Sequence, residues 1–201
     1  MAQAGYKSLL SYKLAQVAFD LGWDFTPIYY RKYEDGRQRD QIKQALRSYK
    51  QNIVEGSSER SLSSKLKLYD VAKASGMEAL EDFEDILRLE NLPHWSKDDP
   101  RLKRLRSVFE GYPSPPSNPP NSSSPSTLPR PSVSAVEGVG GKEGREGLEW
   151  VVNYLIDLII RGGYLLDKQI NAVEEKHKTE GGYREKLLQR RLDYRKQRPN
   201  G

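Results

Sequence analysis

The chain has 201 residues, 36% of them hydrophobic and 30% charged, with a formal net charge of +5; this is one domain with extensions or two small ones, heavily solvated around a modest core. Cysteine is absent, which excludes disulfides, thiolate zinc sites and a cysteine nucleophile. Neither a secretory leader nor a membrane span is read, because Lys13, Gln16 and Asp20 interrupt the first apolar residues and the apolar run Trp150 to Ile160 carries Asn153 and Asp157, so a cytoplasmic location is expected.

Residues 8 to about 31 carry Leu10, Leu14, Val17, Leu21, Phe25 and Ile28 at spacings of three and four, the period of an amphipathic helix. Pro27 must kink this first helix or end its regular part, since proline removes an internal hydrogen bond. After the Asp35-Gly36 turn, a second helix is expected from Arg37 to Glu55, with Ile42, Leu46, Tyr49 and Ile53 facing inward and Gly56 as its C-terminal cap. The third helix runs from Leu62 to Leu89, started by Ser61 or Ser63 as N-cap and stopped before Pro93. Its small residues Ala72, Gly76 and Ala79 allow a neighbouring helix to approach closely. Asp98-Asp99-Pro100 signals a short helix to about Glu110, apolar at Leu102, Leu105 and Phe109.

Eight of the twelve prolines fall between Gly111 and Gly147 among serines and glycines, so that segment reads as a long disordered linker with little to bury. A fourth bundle helix over 148–178 is the most apolar element, and a helix apolar over so much of its circumference is buried on more than one face. A basic helix over 183–198 follows. The expected architecture is all-α: an antiparallel four-helix bundle, with a short helix appended to its first three members at 6–110, the linker at 111–147, and a basic C-terminal helix.

No catalytic, metal or cofactor site is read. His94 and His177 do not form the Glu-x-x-His pairs of a di-metal bundle, and the acids Glu78, Glu81, Asp82 and Asp85 are expected to pair with Arg88 or with a neighbour's cations. The glycine-rich stretch at 138–144 fails both the phosphate-loop and the dinucleotide patterns. The candidate surface is basic. From Tyr183 to Gly201 seven cations (Arg184, Lys186, Arg190, Arg191, Arg195, Lys196 and Arg198) stand against Glu185 and Asp193, so this segment holds the whole net excess of +5. Arg39, Lys43, Arg47 and Lys50 lie along one side of the second helix, and Tyr12, Tyr29, Tyr30, Tyr33 and Tyr112 sit among charges elsewhere. Cations of this kind neutralise phosphates and tyrosines stack on unpaired bases. The alternative is that the helix-two cations pair with acids of the third helix, that the tyrosines are bundle packing and that the tail only solubilises.

Two polar choices on helix two are locally unfavourable: Asn52 beside the apolar line, and Glu55 on the last turn against the helix dipole. Here the chain resembles a known family. The stretch "QALRSYKQNIVEG" followed by "LKLYDVAKASGMEALEDFEDILR" is similar to the four-helix-bundle proteins encoded within intervening sequences of 23S ribosomal RNA genes. The residues carrying it are Gln41, Ala45, Arg47, Ser48, Asn52, Ile53, Glu55 and Gly56, then Ala72, Ser75, Glu78 and Leu80, with further likeness in "YKLAQVAFDL" and at Tyr164–Gln169. The likeness covers roughly 6–95 and 148–185, and the ending resembles a subgroup with an extra C-terminal segment. A branch of the family includes the accessory variability protein of diversity-generating retroelements, whose members form a pentameric barrel and bind nucleic acid and a reverse transcriptase. The resemblance implies the bundle fold and gives Asn52, Glu55 and Gly56 as a structural signature. Gln41, Ala45, Ser48, Asn52 and Glu55 then read as a second, small and polar seam beside the apolar line, on which two helices pack closely, Asn52 fixes their register and Glu55 is held by a donor on another helix or the next N-terminus.

The function expected is therefore a non-enzymatic homo-oligomer that binds nucleic acid, RNA or a ribonucleoprotein, as an accessory factor with a reverse transcriptase as a candidate partner. The alternative is a protein-interaction scaffold assembled through the fourth helix.

Overall fold

Apolar residues three and four apart become helix at each place the periodicity marks. The computed structural model describes residues 5–109 and 131–197, and among these no strand occurs. The helices are α1 (Leu10–Tyr29), α2 (Gly36–Ser58), α3 (Leu62–Leu89), α4 (Pro100–Phe109), α5 (Val133–Gly140), α6 (Gly144–Glu180) and α7 (Tyr183–Gln197), with short 3-10 turns at Gly5–Ser8 and Tyr33–Asp35. None of them is long and apolar enough to cross a membrane.

Three local start and stop signals act where the sequence placed them. Pro27 lies in the last turn of α1, which ends two residues later, with the Tyr30 amide returning to the Thr26 carbonyl at 2.9 Å. Ser61 caps α3, its Oγ accepting from the Ser64 amide at 3.4 Å. At the start of α4, Asp99 accepts from the Arg101 amide at 2.9 Å while Pro100 occupies the first turn.

Three expectations are corrected. Gly56 is not a cap, because α2 continues to Ser58 and Gly56 is buried inside it. Its missing side chain is used for contact, since a β-carbon there would stand 2.7 Å from the Tyr69 ring of α3. The end of the supposed linker is structured: Ser132 Oγ accepts from the Ala135 amide at 3.1 Å, and α5 follows with Val133 and Val136 buried. An eight-residue helix is marginal alone, but each buried valine contributes about 1.5–3 kcal/mol. The Gly-rich turn then closes α5 at Gly141 (φ +62°) and starts α6 at Gly144, four residues before the expected Leu148. The rest of the expected linker, 111–130, lies outside the described residues.

α1 packs on α2 and α6, and α3 packs on α2 and α6, so the four long helices enclose the main core. Every residue from Trp150 to Ile159 is buried. The reason is that α4 and α5 also lie on this half of α6, bringing Leu102, Leu105, Phe109, Val133 and Val136 to the same core. The apolar circumference of α6 is thus covered in its N-terminal half by the chain itself.

Two polar residues in that apolar run are fully engaged. Asn153 Oδ1 accepts from the Trp95 amide at 2.7 Å, and its Nδ2 donates to the Pro93 carbonyl at 3.0 Å. Asp157, 5% exposed at its side chain, receives Arg106 Nε at 3.0 Å and Nη2 at 2.5 Å. Arg101 stacks over Trp95 at 3.8 Å and bonds both Asp99 and Glu149; the hydrogen bond from Arg101 is the main reason the Asp99 carboxyl sits below its usual range. Together these contacts clamp the α3–α4 connection and α4 onto α6.

Candidate nucleic-acid interface

Two members of the basic line of α2, Lys43 and Lys50, lie over aromatic rings of α1. Lys43 places its ammonium 4.5 Å from the centre of the Trp23 ring, and Lys50 places its own 3.7 Å above Phe19. Lys50 is pulled below its ordinary pKa mainly by burial and further by Arg47, while Asp20 acts in the opposite direction. Arg39 has a long contact of 4.0 Å to Asp40, and Arg47 is exposed. Among the described residues none of these four pairs with an acid of α3. Helical spacing identified the side of α2 but not its neighbour, which is a pair of aromatic rings one turn apart on α1.

The acids of α3 are engaged otherwise. Arg88 Nη2 meets Asp85 at 2.7 Å within the helix, and Gln38 Nε2 donates to Asp82 at 2.8 Å. Among the described residues no three metal-ligating side chains converge.

The tyrosines divide. Tyr29 donates to Glu90 at 2.8 Å, and burial pushes Tyr30 up to about 12. Tyr12 donates to Gln16 at 3.1 Å, whereas Tyr33 is fully exposed. Tyr29 and Tyr30 are packed between α1 and the end of α3, so among the described tyrosines of this set only Tyr33 is openly offered to solvent. Tyr112 lies outside the described residues.

α7 stands apart. Gly181 (φ +72°) turns the chain after α6, and the Gly182 amide donates to Glu185 Oε2 at 2.7 Å, which caps the start of α7. Every described side chain of α7 is exposed, and the helix has no substantial packing on another element. Lys186 pairs with Glu180 at 2.8 Å. Among the described residues Arg190, Arg191, Arg195 and Lys196 form no ion pair. Tyr183, Leu187, Arg190, Arg191 and Tyr194 recur at helical spacing and share one side. Arg198 lies outside the described residues, as does the side chain of Arg184.

The signature residues make a seam of short range. Asn52 Nδ2 donates to the Ser48 carbonyl at 2.8 Å and to Ser48 Oγ at 3.0 Å, and Ser48 Oγ meets Ser75 Oγ of α3 at 2.8 Å. Asn52 therefore reaches α3 through Ser48. Glu55 is exposed and accepts from Gln51 of its own helix at 3.3 Å, not from another helix. Phe19 and Trp23 are the site residues that sequence reasoning missed; their spacing of four, off the apolar line of α1, was the available signal.

No protein-family model matches this chain, and neither a curated protein nor a solved structure does. Fold and surface define its class: an all-helical protein with a cationic, aromatic-backed face on α2 and a solvent-exposed basic helix at its end.

Proposed function

We propose that the protein is a non-enzymatic, oligomeric antiparallel four-helix bundle, formed by α1, α2, α3 and α6, that binds nucleic acid through α7 and the basic line of α2. RNA or a ribonucleoprotein in the cytoplasm is the proposed target, with a reverse transcriptase as candidate protein partner and five as candidate subunit number. The observation that carries this reading is the exposure of α7, on which Arg190, Arg191, Arg195 and Lys196 have no acidic partner among the described residues. Side chains so placed neutralise phosphates and release counterions. The resemblance to the ribosomal intervening-sequence bundles is a second support.

Filter binding of RNA against salt tests the reading. Each lost phosphate contact to a single strand lowers the log–log salt slope by about 0.7, so deleting Tyr183–Gly201 should flatten it by several times that amount and weaken binding at low salt. No binding at low ionic strength, or binding unchanged by the deletion, overturns it.

Self-association is supported by the α3–α6 side, where Met77, Ile160 and Tyr164 are exposed around a groove of about 250 Å³. This side lies across the four-helix ring from the α1–α2 face, so assembly there leaves the basic line open. The same groove favours the alternative reading, a protein-interaction scaffold. Self-association that survives Ile160→Asp, or a wild-type monomer, removes the role of this surface; self-association without RNA binding leaves the scaffold.

A further inference from the structure

Trp23 is 48% exposed, although it is a large aromatic in a chain that buries its other two tryptophans, Trp95 at 5% and Trp150 at 8%. It lies one helical turn from Phe19, with ring centres 5.6 Å apart and planes tilted by 40°. Over these rings stand Lys43 and Lys50 from the neighbouring helix, and Arg47 lies between those lysines in sequence, exposed and without an ion pair among the described residues. Two cations two turns apart, each above a ring, form a short rail along the α1–α2 face.

We infer that this rail takes single-stranded nucleic acid, with an unpaired base stacking on Trp23 and the α2 cations on the adjoining phosphates. The inference rests on the nucleic-acid reading above and narrows it to the single-stranded class. An exposed cation–π contact is weaker than a base stacked on an aromatic ring. A base can therefore displace the Lys43 ammonium from the Trp23 face, and the displaced ammonium gains a phosphate oxygen in return. In a duplex both faces of every internal base are already stacked, so a helical RNA can reach the cations but not the ring. Asp20, beside Phe19, offsets part of the local charge, and the aromatic faces carry what the charge alone does not.

Because Trp23 is the exposed tryptophan, intrinsic fluorescence reads its contacts directly. The full chain would be titrated with an oligouridylate of about 12 nucleotides, within the span of known single-strand sites, and with an RNA duplex of the same length. The single strand should quench the solvent-accessible part of the emission and the duplex should not. Trp23→Ala should weaken single-strand binding about 10-fold or more while leaving duplex binding and the circular-dichroism helix signal unchanged; Trp23→Phe should retain most of the affinity. Lys43→Ala should flatten the salt slope by about 0.7 yet leave the quenching intact. Single-strand binding without quenching, and indifferent to Trp23→Ala, overturns the inference while leaving the nucleic-acid reading in place. Failure of the wild-type chain to bind either RNA at low salt overturns both.

Discussion

The Tyr49 hydroxyl of α2 lies against Gly162 of α6, so close that a β-carbon at Gly162 would overlap it. On its other side the same ring faces Gly76 of α3, where a β-carbon would stand 3.2 Å away. Tyr49 is 1% exposed and its hydroxyl has no hydrogen-bond partner; burial raises its pKa. Three helices are thus fitted around one ring through two missing side chains. Gly162→Ala is expected to cost about 1–3 kcal/mol through overpacking. Gly163→Ala, whose β-carbon meets nothing within 4 Å, should be neutral or stabilising by up to ~1 kcal/mol from helix propensity. Tyr49→Phe should be neutral or stabilising, since it removes a buried, unpaired hydroxyl. Urea unfolding of the three variants checks the set, and a Gly162→Ala protein as stable as Gly163→Ala would contradict the packing account.

The Arg106–Asp157 pair holds α4 to α6. Asp157 is almost fully buried, and Arg161 supplies only a longer contact at 3.4 Å. Arg106→Ala strands this carboxylate and is expected to cost about 2–4 kcal/mol. Replacing both partners by apolar residues, Arg106→Met with Asp157→Leu, should restore much of that loss, because the penalty belongs to the unpaired charge. If the double variant is as unstable as the single one, the pair contributes orientation that apolar packing cannot replace.

The bounds of α3 match the sequence reading at both ends because its start and stop signals, Ser61 and the Asn91-Leu-Pro93 stop, are local. α5 was illegible for the opposite reason: Val133 and Val136 are two apolar residues in a Pro/Ser/Gly stretch, and only the surface of α6 and its neighbours makes them worth ordering. Asn153 and Asp157 could be seen as polar intrusions in an apolar run. Their partners lie 58 and 51 residues away, and periodicity does not say which distant segment answers a buried polar group. The α2 cations show the same limit, since the pattern gave their common side but not the rings of Phe19 and Trp23 beneath two of them.

Asn52 offers a test of the polar seam. Its amide holds Ser48, and Ser48 meets Ser75 across the α2–α3 contact. Asn52→Ala should cost ~1 kcal/mol, and Ser75→Ala a similar amount. The two effects should be non-additive because the hydrogen bonds share Ser48. Strict additivity in a double-mutant cycle would reduce Asn52 to a local helix contact with no part in register.

Asp82 and Asp99 should titrate stability in opposite directions. Asp82 Oδ2 is buried without a partner, and burial, helped by Glu78 and Asp85, raises its pKa against the opposing Gln38 hydrogen bond. A carboxyl whose folded pKa lies above its unfolded value of about 3.9 weakens the fold once charged, and the fold regains that stability as pH falls through the raised value. Asp82→Asn should therefore raise the urea midpoint at pH 7, with the advantage shrinking as acid protonates the wild type. Asp99 is depressed by Arg101, so its contribution is present above its unfolded pKa and is lost as pH falls through the folded one. Asp99→Asn should lower the midpoint at pH 7, and its deficit should close only at lower pH than the Asp82→Asn advantage does. Urea midpoints taken from pH 7 to pH 3 read both effects; the same sign for the two variants at pH 7 would refute the assignment of burial to one carboxylate and of cationic pairing to the other.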